Sequence, residues 1–215
     1  SNQWTFQLAD YPQAVANSAG IPCSVQDNVL IAPFNDAEAT RALVARHADE
    51  LGGIIVEPLC RTIPPQPGFL QGLRELADRY EIPLIFDEVV TGFRMALGGA
   101  QAYYGVIPDL CTMGKAISGG HPLGLVGGRA DIMDLAGPGS MMGGDHVRLT
   151  GTYSSNPVSA VAALAVIDVL RQPGTYDAVE RKGNKLKQAL SLALDKAGIA
   201  AQVIGEPTAF QPWFT

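Results

Sequence analysis

The chain has 215 residues, with 15 Lys and Arg against 21 Asp and Glu, for a formal charge of −6. Hydrophobic residues make up 47% and charged residues only 17%, a balance that sets disorder aside because disorder needs low hydrophobicity and high charge. The acidic balance without a Lys/Arg cluster argues against nucleic acid as a partner, and no stretch approaches the roughly 18–20 uninterrupted apolar residues of a membrane span.

Residues 1–34 read as loop and short elements, opening on Ser1-Asn2-Gln3-Trp4 without the basic and apolar run of a signal peptide. Val29-Leu30-Ile31-Ala32 is the best strand candidate there. Asn35 reads as a helix N-cap with Glu38 completing a capping box. That helix runs through Leu43 and Val44 to Leu51 and stops at Gly52-Gly53. Ile54-Ile55-Val56 then reads as a short strand buried on both faces. A proline-rich loop, Pro58 to Pro67, leads to a helix from about Gly68 to Tyr80, and Leu84-Ile85-Phe86 forms the next strand, ending at Asp87-Glu88.

Strands are expected again at Leu110-Cys111-Thr112-Met113 and Leu123-Gly124-Leu125-Val126, flanking a loop from Gly114 to Pro122. Gly137 to Asp145 reads as a mobile Gly/Met-rich loop. Helices are expected from Asn156-Pro157 to Leu170 and from Tyr176 to Lys196, and Gln202-Val203-Ile204 and Phe210 to Thr215 read as strands of a new unit. The alternation predicts an α/β fold with a mainly parallel sheet. Cys23, Cys60 and Cys111 form neither a zinc pair nor a Cys-x-x-Cys, which points to reduced thiols in a cytoplasmic protein. His47, His121 and His146 are equally scattered and give a metal site little support.

Two charges stand at the carboxyl ends of predicted strands, where such sheets gather their chemistry: Asp87 and Lys115. Asp87 reads three ways. It is a loop carboxylate capping an amide, or a magnesium-holding carboxylate of an ATPase, or the partner of a pyridine nitrogen. The ATPase needs a phosphate loop, but Asp109 stands where its first glycine belongs and Ala116 comes directly after Lys115.

A pyridoxal phosphate site needs a lysine to form a Schiff base and shuttle protons. It also needs a carboxylate on the ring nitrogen, an apolar residue on the ring face and polar groups for the phosphate. Lys115, Asp87, Val89 and Gly151-Thr152 can fill these places. The 28-residue interval from Asp87 to Lys115 allows one helical crossover between neighbouring strands. Burial near the cofactor would lower the lysine's pKa, and Gly114 and Gly119-Gly120 allow close backbone approach.

Asp87-Glu88-Val89-Val90-Thr91-Gly92-Phe93-Arg94 resembles the aspartate motif of class III aminotransferases, which are fold type I pyridoxal phosphate enzymes. Pro108 to Ala116 resembles the stretch carrying their Schiff-base lysine, and Gly119 to Gly124 resembles the segment just after that lysine. Gly151 to Pro157 is similar to their Gly-Thr segment. The likeness is greatest to the branch of glutamate-1-semialdehyde aminomutases and related transaminases.

The resemblance implies a three-layer α/β/α large domain over residues 1–197, with 198–215 opening a C-terminal small domain. It implies pyridoxal 5′-phosphate as cofactor, with Lys115 as Schiff-base lysine, Asp87 on the ring nitrogen and Val89 against the ring. Thr152 and the Gly151 backbone would serve the phosphate in the neighbouring subunit of a homodimer with shared active sites. The reaction implied is amino-group transfer from a small-molecule donor to a keto or aldehyde acceptor. Glu88 and Arg94 are read as structural.

The family's phosphate turn and ring-stacking aromatic residue are not found in these 215 residues, and the chain stops just inside what resembles their C-terminal domain, so it reads as truncated at both ends. A non-catalytic fragment or dimerisation module is the alternative. Where relatives place an amide near the cofactor's 3′ oxygen, this chain has Leu59-Cys60-Arg61, and a thiol is a weak substitute.

Overall fold

A computed structural model describes residues 13–16, 18–137, 146–149 and 151–214. Its contacts divide the chain into two units, residues 1–51 and 52–215. The expected loop at Gly137 to Asp145 lies, beyond Gly137, outside the described residues.

In the first unit a one-turn helix, α1 (Cys23–Gln26), precedes α2 (Ala37–His47). The cap of α2 is Asp36, whose Oδ1 accepts from the Ala39 amide at 2.9 Å, and not the expected Asn35. Asn35 instead takes the left-handed conformation (φ 68°), which asparagine tolerates better than most residues, and turns the chain into the helix. The helix ends at His47, short of Leu51, because the amides of both Glu50 and Leu51 turn back onto the His47 carbonyl. The strand expected at Val29–Ala32 reduces to a single bridge between Leu30 and Gln13.

The second unit is built on a four-stranded sheet of β1 (Ile54–Val56), β2 (Leu84–Glu88), β3 (Leu110–Met113) and β4 (Leu125–Gly128), in that spatial order. The first three strands are parallel and β4 is antiparallel, so the sheet is mainly parallel with an antiparallel edge. β4 starts two residues later than the sequence suggests. Its Gly128 passes close to β3, since a Cβ there would stand 2.2 Å from the Asp109 carbonyl oxygen, and the ladder runs on through Gly127 and Gly128 beyond the expected end at Val126.

Helices α3 (Phe69–Tyr80) and α4 (Gly99–Tyr104) pack against β2. Phe69, Leu70, Leu73, Leu76 and Ala77 form the buried stripe of α3 at helical spacing. On β2 the alternation is plain: Leu84, Phe86 and Glu88 on one face are fully buried, while Ile85 and Asp87 on the other are half-buried. The register puts Ile55, Ile85, Asp87, Thr112 and Val126 together on that second, more open face. Ile55 is accordingly 66% exposed, and β1, expected to be buried on both faces, is buried on neither as the terminal strand of the sheet.

Asp109 locks the sheet to α3. Only 5% exposed, it accepts from the Leu84 amide (2.8 Å) and pairs with Arg74 (2.8 Å) and Arg129 (3.0 Å). Burial pushes its pKa up, but the amide bond and the two guanidinium groups outweigh that and hold the carboxyl below the usual carboxylate range. A depressed folded pKa gives stability that is complete above the ordinary Asp range and lost as pH falls through the folded value. Asp109→Asn should therefore cost about 2 kcal/mol at neutral pH. In acid melts its penalty should shrink as pH drops below the ordinary carboxylate range; a penalty constant with pH would contradict the assignment.

After a short helix α5 (Ala130–Met133), the long helices α6 (Pro157–Leu170) and α7 (Thr175–Lys196) lead to an antiparallel hairpin of β5 (Ala201–Glu206) and β6 (Ala209–Phe214). The hairpin is tied down at its turn. The hydroxyls of Tyr103 and Tyr104 donate to the two oxygens of Glu206 at 2.9 and 3.0 Å, and Lys187 donates to the Gly205 carbonyl. Burial, then the Glu206 bond, raises the Tyr103 pKa to about 12, so the tyrosine stays a donor through neutral pH. Gly183 of α7 lets the turn approach, because a Cβ there would meet the Pro207 carbonyl oxygen at 2.0 Å.

Candidate functional site

The parallel register sets Asp87 of β2 directly beside Thr112 of β3, near the carboxyl ends of both strands. Oδ1 of Asp87 accepts two bonds, from the Val89 amide at 3.0 Å and from the Thr112 hydroxyl at 3.2 Å. Among the described residues no donor reaches Oδ2. The expected amide-capping role is thus real, but it occupies one oxygen and leaves the other open.

Val89 stands beside the residue that precedes Lys115, since a Cβ on Gly114 would lie 3.7 Å from Val89 Cγ1. Lys115 opens a one-turn 3-10 helix, Lys115–Ser118, with φ 49°. That left-handed value is uncommon for a side chain bearing a Cβ, and such strain persists only where surroundings enforce it. Here they do: the Ser118 hydroxyl bonds back to the Lys115 carbonyl at 2.6 Å, Ile117 is fully buried, and α6 packs against the turn. From α6, Ser159 donates to the Pro122 carbonyl at 2.8 Å and Val166 closes on Gly119, where a Cβ would come within 3.0 Å.

The structure therefore brings Asp87, Val89 and Lys115 to adjacent strand tips. It corrects one expectation: Lys115 is exposed rather than buried, because it rides a single turn at the rim of the sheet. Thr152 is not brought to the cluster by any hydrogen bond among the described residues. It lies with Gly151 in an exposed turn ahead of α6, closed by the Ser154 amide on the Gly151 carbonyl (3.0 Å), with Tyr153 86% exposed. Asn156 then caps α6 through a 3.0 Å bond from the Val158 amide.

Glu88 does more than its neighbours in sequence suggest. Fully buried, it accepts from the Thr91 hydroxyl (3.0 Å), the Ala100 amide (2.5 Å), and the amide and side chain of Gln101 (3.2 and 3.1 Å). It nails the loop after Asp87 to the start of α4. Arg94 bonds the Val90 carbonyl at 2.8 Å within the same loop, and Tyr176 reaches the Phe93 carbonyl at 3.0 Å. Asp109 matters as an anchor, where the sequence alone shows only a missing glycine. Burial first, and then the Glu57 carboxylate, raises the Cys60 pKa, keeping it a thiol with little to offer an oxyanion. No helix among the described residues is long and apolar enough to cross a membrane.

The family model for class-III aminotransferases matches residues 11–207. A glutamate-1-semialdehyde 2,1-aminomutase of Natranaerobius thermophilus is 40% identical over 202 residues, 93% of this chain and 46% of that protein. Among solved structures, an omega-transaminase from Sphaerobacter thermophilus superposes with a TM-score of 0.87 at 37% identity, over 96% of this chain and 47% of that one. A transaminase solved with PLP bound does so with a TM-score of 0.81 at 31% identity, over 88% and 45%. The chain spans about half the length of the relatives it matches. With the fold, the strand-tip cluster and these likenesses in agreement, the chain belongs to the class-III aminotransferases.

Proposed function

We propose that this chain serves amino-group transfer dependent on pyridoxal 5′-phosphate, from a small-molecule amino donor to a keto or aldehyde acceptor. The observation that carries the reading is the pairing of an open carboxylate oxygen on Asp87 with the enforced turn that presents Lys115 one strand away. These residues fit the cofactor chemically. Oδ2 of Asp87 is an acceptor for a protonated ring nitrogen, Val89 supplies an apolar surface, and Lys115 supplies an amine. When bound, the cofactor supplies an electron sink for the pair left on a substrate carbon that has lost a proton.

Within that chemistry each side chain has one task. Asp87 keeps the ring nitrogen protonated. Val89 packs on the ring and excludes water from its face. Lys115 would hold the cofactor through its Nζ and would be the base that takes up and returns the proton at the reacting carbon.

Thr152 and the Gly151 backbone are assigned to the phosphate in the neighbouring subunit of a homodimer, a role their exposure in the turn ahead of α6 permits. Residues 1–197 belong by this reading to the cofactor-binding large domain and 198–215 to the start of the small one. The three free cysteines suit a cytoplasmic protein.

The test uses full-length protein loaded with cofactor. Added amine without keto acid should discharge the visible absorbance stoichiometrically, and a keto acid should restore it. Turnover of an amino aldehyde with no added keto acid would select the aminomutase form of the reaction. A spectrum unmoved by any amine would refute the proposal.

A further inference from the structure

We propose that Thr112 is a positioning residue, holding Asp87 so that its Oδ2 faces the ring nitrogen of the cofactor. The inference rests on the function proposed above. A carboxylate fixed by one donor can still rotate about the bond to its Cβ. Asp87 has two donors on the same oxygen, arriving from different directions: the Val89 amide, two residues along its own chain, and the Thr112 hydroxyl, from the neighbouring strand. Together they fix which oxygen is satisfied and which is left open.

Thr112 owes this place to the register. In the parallel pair it lies directly beside Asp87 on the sheet's open face, and on its other side it meets Val126, which offers no polar side-chain group. Of its two ladder neighbours, only Asp87 has a side chain that can receive its hydroxyl. Threonine is also a common strand former in its own right. The distinction matters, because a merely structural threonine would be replaced by valine, its near-isostere, without consequence for the cofactor's nitrogen. Val126 beside it shows that a β-branched apolar residue suits this part of the sheet.

The decisive comparison sets pyridoxal phosphate against its carbocyclic analogue, in which CH replaces the ring nitrogen. Equilibrium affinities for both would be measured with full-length wild type, Thr112→Val and Thr112→Ser. We expect wild type to prefer pyridoxal phosphate. Thr112→Val should weaken pyridoxal phosphate about tenfold, leave the analogue within about twofold, and be rescued by Thr112→Ser.

Equal weakening of both compounds in Thr112→Val would show a structural role and overturn the inference. So would a wild-type preference that Thr112→Val leaves intact, although the Asp87 assignment would then stand. If wild type binds the two compounds equally, or binds neither, the reading of Asp87 fails and the inference fails with it.

Discussion

Replacing Lys115 with Ala should reduce amino-transfer turnover by about 10³-fold or more in the full-length protein, because one amine is assigned both the anchoring and the proton transfer. Stability should change by only about 0.5 kcal/mol, since the side chain is exposed. A lysine in a left-handed turn carries strain that glycine or asparagine would relieve, so its presence there is not explained by the turn. Assays with a saturating amino donor, alongside thermal melts, would check both halves. Retained turnover would remove Lys115 from the chemistry, whereas a large loss of stability would make it a folding residue.

Glu88→Ala should have the opposite signature, a cost of about 3–5 kcal/mol in denaturant melts. The figure reflects the removal of a fully buried carboxylate, which leaves the Thr91 hydroxyl, the Ala100 and Gln101 amides and the Gln101 side chain without their acceptor. Against the roughly 5–15 kcal/mol that holds a typical domain together, this is a large share. Glu88→Gln keeps the volume and one acceptor oxygen but turns an NH2 group toward donors, so it should fall between wild type and Ala. The loop from Val89 to Met95 should loosen in both variants, read as faster amide exchange there than in β1. A Glu88→Ala protein as stable as wild type would show that the hydrogen-bond cluster is not a clamp.

Much of this arrangement is legible from the residues, and for definite reasons. Leu84-Ile85-Phe86 is a short apolar run and Leu110 to Met113 a largely apolar one, both bounded by turns, and their charged or glycine-rich ends mark where a parallel sheet opens. Spacing and motif are therefore enough to set Asp87 and Lys115 on adjacent strand tips.

The illegible features depend on partners distant in sequence or on single-residue geometry. Asn35 and Asp36 are both good caps, and only the backbone angle decides between them. Asp109 becomes an anchor through Arg74, which lies 35 residues earlier, and the bond from Tyr104 to Glu206 spans 102 residues; neither leaves a periodic trace. The exposure of Ile55 is likewise invisible in an all-apolar triplet, since nothing in Ile54-Ile55-Val56 says which face a helix covers. In the sequence Thr112 is merely one of four strand residues, and only the register joins it to Asp87.

The central claim is that Lys115 is the residue to which the cofactor attaches. Full-length protein incubated with pyridoxal phosphate, reduced with borohydride and digested should yield one stoichiometric phosphopyridoxyl peptide, modified at Lys115. A stoichiometric adduct on another lysine, or none at all, would contradict it.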